Sequence, residues 1–531
     1  MESFFVYPIL GLKTNVAQSD ASLFQMMGQN AAACHCVDGR NIDFGRTQNA
    51  CAKSTGQSVW SNSAITSPTA CLGIFYLDDG TNTSYWVVYD GDVYRYDASR
   101  DPAEVADAGA TAFASGTMDF YSMIRYGAYF IFADRAEHTP YCADYNDTNL
   151  LKLISDGTEF KFRYLESFQR RIIGAYSDQT DGDIEIRWSN LMPTPNTDCE
   201  FAAANQLYVP NDDPITGIKR MGRNACFVYC KDSINRLDYY PNYSSPFGFT
   251  TIIENQGAAN HHSIVDVGNQ HLFLNKNYGF CSYTGGNQII PISRDIENWV
   301  SSIRESYFPH IIGQPLPFRN RVAWTVPLEG ATTPNAILLY DYFEKKWERR
   351  DIECRYIAPM TISTDLTWTK LTTDLGYTTW SDLGNLRWAD LVTETPVLAL
   401  SGTDGKLYYM GTEANAGAAW DGYRVEPMMN FGKPNNKSIL EEVWFSLAEV
   451  GSYNLYVYYR GGNTEGEAKA KNWTATEEVS CDSPNEAVCK LDNVTKQAYR
   501  YHQIKWGTDG ADEAFVVNQI EFRYVPESSG Y

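Results

Sequence analysis

Helical periodicity is the first thing this sequence lacks. Its 531 residues hold one good helical stretch, Arg294 to Ser306, with apolar Ile296, Trp299, Val300 and Ile303 at helical spacing. Ser19 to Met27 adds no more than a short turn. Histidine is scarce at 7, and none stands in a nucleophile-elbow, HExxH or zinc-deaminase setting. No GxGxxG or P-loop occurs either. These absences remove the common signatures of acyl transfer, metalloprotease and nucleotide chemistry. No window approaches the roughly 20 apolar residues of a membrane helix. The start, MESFFVYPIL, has no basic segment, and polar Lys13-Thr14-Asn15 follows, so the expectation is no secretory leader and folding in a cytoplasm. Basic residues are also few: 43 Lys and Arg against 65 Asp and Glu, a net charge of −22. Such a surface repels nucleic acid and anionic membranes, which excludes a basic DNA-gripping protein. It leaves open a non-adhesive wall past which DNA slides.

Aromatic residues are abundant, with 36 Tyr, 25 Phe and 13 Trp, and they favour strands. Apolar residues make up 44%, enough for a large core in about two to four domains. Most of the 12 cysteines sit in strand-like runs such as "ACFVYC" (Ala225 to Cys230) and read as buried reduced thiols. Cys481 and Cys489 flank a turn and could pair if oxidised. Cys34-His35-Cys36 has no second cysteine pair at zinc spacing. Asp178, Asp181 and Asp183 in "SDQTDGDIE" miss the EF-hand spacing and mark a hairpin instead. Adjacent His261 and His262 read as a surface turn. The expectation is therefore no metal, no cofactor and no catalytic residue.

The strands come in units, each a turn, an apolar strand, a hairpin and an aromatic strand. "YGAYFIFAD" begins at Tyr126, "FQRRIIGAY" at Phe168, "GRNACFVYC" at Gly222, "GNQHLFLNK" at Gly268 and "FRNRVAWTV" at Phe318. "ACLGIFYLD" at Ala70 and "PVLALSG" at Pro396 extend the series at both ends. A period of about 40–50 residues with four strands per unit predicts a β-propeller of six to seven blades over 61–420. A large irregular β-sandwich assembly is the competing reading. After Gly422 the strands lengthen, as in "SILEEVWFSLAE" and "AFVVNQIEFRYVP", which predicts a C-terminal antiparallel β-sandwich platform over 421–531. Residues 1–60 read as an extended arm docked on that platform.

The interval before Pro396 is long because it contains "TWTKLTTDLGYTTWSDLGNLRWADL", an insertion at about 363–393. It holds three Trp-x-x-Leu phrases, at Trp368, Trp380 and Trp388. Thr372, Asp374, Gly376, Thr378 and Thr379 before Trp380 resemble an Asp-box hairpin with one extra residue. Asp-boxes decorate sialidases and also propellers without activity. Sialidase chemistry needs converging arginines, a Tyr nucleophile and a carboxylate partner, and usually several Asp-boxes. One imperfect copy, with Asp and Thr bonding the turn and Trp beneath it, is first of all scaffold.

Two further segments carry a resemblance. Cys36-Val37-Asp38-Gly39 with Asn41-Ile42-Asp43-Phe44 and Arg46 stands near the N-terminus, and Ile520, Phe522, Tyr524 and Pro526 close the last strand. With the blades between them, these resemble the tail hub and nozzle proteins of tailed bacteriophages, the family of tail tubular protein B and tail-stabilising accessory factors. A departure is the absence of a long distal insertion. The resemblance implies a non-enzymatic virion protein made in the bacterial host cytoplasm. It implies a homo-oligomer, a hexameric ring around the DNA ejection channel. That ring would stand below the tail adaptor and support tail fibres or a distal plug. DNA would pass without specific binding, because an acidic lumen does not grip phosphate. Trp368, Trp380 and Trp388 then become interface residues, since aromatic anchors in a polar loop are common at interfaces. The alternatives are a sialidase-like glycan-binding or glycan-cleaving propeller and a receptor-binding adhesin.

Overall fold

The computed structural model describes residues 1–527 except 45–49, 67–69, 79–82, 90, 97–99, 108–119, 135–137, 145–148, 154–159, 244, 317–319, 365–392, 412–417, 432–434, 450, 483–486, 492–496 and 512. The chain is all-β, and most of it is cut into small antiparallel sheets. Seven of them follow one another. Their first strands are Cys71–Asp78, Ser122–Tyr126, Phe162–Phe168, Ile215–Met221, Val265–Asp266, Gly313–Leu316 and Ile357–Thr364. Within each sheet consecutive strands pair as an antiparallel meander, and two sheets add a strand from outside it: Ala106–Asp107 pairs parallel with Asn149–Lys152 in the second, and an upstream strand joins the seventh. The first strands pack side by side in this order, and that of the seventh sheet returns to that of the first. The result is a closed, propeller-like ring.

The repeated phrase of the sequence falls on the second strand of each sheet from the second onward: Tyr129–Ala133, Arg171–Ser177, Ala225–Cys230, His271–Asn275, Arg321–Val326 and Thr393–Ser401. "ACLGIFYLD" instead carries the first strand of the first sheet. The second strand is a near-continuous apolar run because neighbouring sheets cover both of its faces. Arg321–Val326 and His271–Asn275 are buried along their whole lengths. The core is correspondingly divided into layers between sheets. Ile173, Trp188, Ile218 and Val228 fill the layer between the third and fourth sheets, and Phe227, Tyr229, Phe273 and Tyr283 fill the next. The hairpins before these strands need backbone that turns left-handed. Gly222 has φ +58°, and a Cβ there would lie 2.7 Å from the Gly268 carbonyl oxygen.

The seventh sheet takes its outer strand from far upstream: Gln57–Val59 pairs with Leu407–Met410. This strand lies inside the span 1–60 that the sequence assigns to the arm, and it closes the ring with the earliest residues of the blade series. In the same sheet, Ile357–Thr364 and Thr393–Ser401 pair as far as Thr364 opposite Thr393. Thr364 and Thr393, which flank 365–392 in sequence, are therefore direct neighbours.

Two larger sheets use both ends of the chain. In the eight-stranded sheet, Glu2–Tyr7 lies between Ala31–Cys34 and Val516–Pro526, with Phe4 opposite Phe522 and Val6 opposite Ile520. Phe24–Gly28 forms one edge, and Ser438–Glu449 continues the sheet on the other side. In the six-stranded sheet, Asp38–Arg40 pairs with Gly422–Val425, which pairs with Tyr501–Thr508. Buried residues of both sheets share one core, where Phe445 and Trp506 meet edge to face at 5.6 Å. The same core continues into Trp324 and Trp347 of the sixth ring sheet.

The helix expected over Arg294 to Ser306 is broken into short pieces. A 3-10 turn at Arg294–Ile296, one α-turn at Glu297–Val300 and a 3-10 segment at Glu305–His310 take its place. Its apolar residues serve the adjoining core with Ile296 and Ile303 buried, so packing rather than helix propensity sets their spacing.

Candidate functional site

Side chains gather beyond the needs of simple packing at two places: the junction of the ring with the larger sheets, and the axial opening of the ring. At the junction, Asp43 ends a two-residue strand, Ile42–Asp43, in the N-terminal segment. Its carboxylate meets Arg321 Nη2 at 3.0 Å and Arg350 Nη2 at 3.5 Å, both from the sixth ring sheet. Glu348 accepts from Arg321 Nη1 at 3.1 Å and from the Phe44 amide at 2.9 Å. Arg350 also donates to the Thr55 carbonyl at 3.1 Å. These four charged side chains are at most 3% exposed. Burial pushes the Glu348 carboxyl up to about 7, against the pull of Arg321 and Arg350. Burial alone would lower Arg321, but Glu348 and Asp43 hold it above the usual arginine range.

A second buried pair locks the two ends of the chain together. Arg424 Nε and Glu426 Oε1 lie 2.7 Å apart with no exposure on either side. Trp506 Nε1 donates to Glu426 at 2.9 Å, the Cys34 thiol donates to it at 3.0 Å, and Arg424 donates to the Cys34 carbonyl at 3.0 Å. Burial raises the Cys34 thiol well above its usual value and Cys36 to about 12. Both stay protonated and serve as packing and weak donors rather than nucleophiles. All 12 cysteines are buried, and Cys481 and Cys489 keep their thiols rather than forming a disulfide.

The first strands of the ring line two axial cavities of about 420 and 220 Å³. Met123, Lys219, Gln314 and Tyr356 border both. His261 and His262 border the smaller one. His261 is not on a surface turn as its neighbourhood in sequence suggests; it is 7% exposed. Its Nδ1 accepts from the Ile218 amide at 3.3 Å, and its ring stacks on Tyr164 at 4.8 Å. Burial first, then His262, drives its pKa well below the usual value, so it is neutral. A single sequence hides this, because the strands that enclose His261 come from three different sheets. His262 donates from Nε2 to the Phe120 carbonyl at 3.1 Å.

Trp368, Trp380 and Trp388 fall in 365–392, outside the described residues, as does the Asp-box-like turn. Among the described residues, no three His, Cys, Asp or Glu side chains are placed to hold a metal ion. Asp181 sits in a left-handed turn before the 3-10 segment Gly182–Ile184, and Asp178 accepts from Gln179 Nε2 at 2.9 Å.

No family model matches the sequence, and no curated protein matches it. Among solved structures, the chain is similar to BBS1N in complex with ARL6DN, at 11% identity and TM-score 0.38, over 67% of this chain and 97% of that one. It is similar to the extracellular domain of a putative hybrid two-component system from B. thetaiotaomicron, at 11% identity and TM-score 0.40, over 77% of this chain and 45% of that one. A putative exported protein from Bacteroides fragilis gives 10% identity and TM-score 0.30, over 77% and 99%. Likeness this low carries no functional meaning. The propeller-like description rests on the strand order and the closed ring of packed first strands.

Proposed function

We propose that this chain is a structural protein of a bacteriophage tail, a hub or nozzle subunit without enzymatic activity. In this reading the seven small sheets are the blades of a β-propeller. The two larger sheets form a β-sandwich platform. Copies assemble as a homo-oligomeric ring, hexameric in the family it resembles, around the DNA ejection channel. The ring docks below the tail adaptor and supports fibres or a distal plug, and the protein resides in the virion tail.

The observation that carries the proposal is the interleaving of the two chain ends. Glu2–Tyr7 pairs in register along Val516–Pro526, and Asp38–Arg40 pairs with Gly422–Val425. In-register strands oppose sliding with many hydrogen bonds at once. The buried Asp43 network then ties this unit to the ring, and the Arg424 pair holds its two chain ends together, which suits a part that transmits force. The net charge of −22 suits a lumen that must not adhere to DNA. Because Thr364 and Thr393 pair directly, ring closure does not depend on the segment that carries the three tryptophans. A second reading, a glycan-binding propeller or adhesin, is favoured by the open axial cavities beside Lys219. Native mass measurement of the full chain, alone and with the tail adaptor, separates the two: assembly supports the tail role, and a persistent monomer supports the second reading.

A further inference from the structure

Among the described residues, the larger axial cavity is bordered by one cation and by no carboxylate. Lys219 lies on the first strand of the fourth ring sheet, is half-buried, and borders both cavities. No carboxylate among the described residues forms an ion pair with it. The flanking first strands carry two acids, of which Asp266 borders the smaller cavity and neither borders the larger one. Glu166 accepts from the Ser167 amide at 2.9 Å and the Arg220 amide at 3.1 Å. Asp266 accepts from the Gly222 amide at 3.2 Å and the Gly268 amide at 2.8 Å. In a chain of net charge −22, a cavity whose one charged lining side chain among the described residues is a lysine calls for a reason. A half-desolvated ammonium is stabilised by an opposite charge brought from outside.

The rest of the wall narrows the class of that anion. Gln314 presents a side-chain amide that can donate and accept. Tyr76 and Tyr356 add aromatic surface to the larger cavity, and Met123 adds a pliable apolar contact. One cation, one amide and aromatic faces do not suit phosphate, which takes several convergent donors. They suit a molecule with one carboxylate, hydroxyls and an apolar ring face. A volume of about 420 Å³ accepts a ligand of monosaccharide size.

We propose that the axial opening of the ring binds a carboxylated sugar of the hexuronic acid class, with its carboxylate on Lys219, hydroxyls on Gln314 and its ring face against Tyr76 or Tyr356. The inference does not rest on ring assembly of several chains. It applies to a monomer and to a tail subunit alike.

Calorimetric titration of the full chain with D-glucuronate, D-glucose and acetate tests it. Glucuronate is expected to bind at least tenfold more tightly than glucose or acetate, and to weaken as salt rises. Lys219→Met should weaken glucuronate at least tenfold, while Lys219→Arg stays within a few-fold. If Lys219→Met does not fold, the comparison of glucuronate with glucose and its salt dependence in the unaltered chain decide the matter. No heat or saturable binding with millimolar glucuronate would overturn the proposal. So would equal binding of glucose, equal binding of acetate, or undiminished binding by folded Lys219→Met.

Discussion

Replacing Asp43 by Ala removes one carboxylate from a cluster that has almost no contact with water. Among the described residues, Arg321 and Arg350 would keep the Glu348 carboxylate, and Arg321 would also keep Asp341, 3.6 Å away and 16% exposed. Breaking a buried ion pair from one side destabilises by about 3–5 kcal/mol, because an uncompensated charge stays in the interior. That is roughly two to three and a half powers of ten in the opening equilibrium of the junction. The effect should be local, since the third and fourth ring sheets share no partner with Asp43. Hydrogen exchange read by mass spectrometry is the suitable assay. Peptides covering Ile42 to Phe44 and Lys346 to Arg350 should exchange at least about a hundredfold faster, while Arg171 to Ser177 stays unchanged. Adding Arg350→Met restores one cation opposite one carboxylate and should recover about 1 kcal/mol or more. Unchanged exchange at Phe44 in Asp43→Ala would refute the reasoning, and the cluster would then be incidental to the junction.

Glu348 gives the junction a pH dependence whose sign is fixed. Its carboxyl is raised from 4.5 to about 7 in the folded chain, so the fold binds the proton more tightly than the unfolded chain does. Stability from this group is fully present below about pH 4.5 and is lost as pH rises to about 7. Glu348→Gln should flatten the pH dependence of melting across that window, and an unchanged slope would contradict it. For the Trp-rich segment, Trp380→Ala with Trp388→Ala should leave the strand signal and melting of the monomer near native. Each should weaken assembly by on the order of 2 kcal/mol in native mass measurement. A monomer that unfolds while its assembled fraction is unchanged would place these tryptophans in the ring's own core.

Much of the ring was legible because each second strand writes its environment in composition. A strand covered on both faces, such as Arg321–Val326, must be apolar almost throughout, and it recurs at blade spacing. The closing strand Gln57–Val59 was not legible, since "QSV" has no pattern and its partner lies at Leu407–Met410. The same holds for a second N-terminal strand. Asp38–Arg40 is short and poor in bulky side chains, and its partner Gly422–Val425 stands at the far end of the chain. Local pattern carries no record of such long-range pairing. The buried charges were hidden for a related reason: Asp43, Arg321, Glu348 and Arg350 look like ordinary surface residues one at a time. Lys219 was equally silent, because only ring closure makes it axial.

The central proposal is that this chain is a building block of a tail, and native mass spectrometry of the full chain, alone and with a tail adaptor ring, tests that most directly. The proposal predicts that the 59.9 kDa chain is taken up onto the adaptor ring as a closed set of equal copies, six in the proposed arrangement. A chain that remains at 59.9 kDa at every concentration, with and without the adaptor, would contradict it.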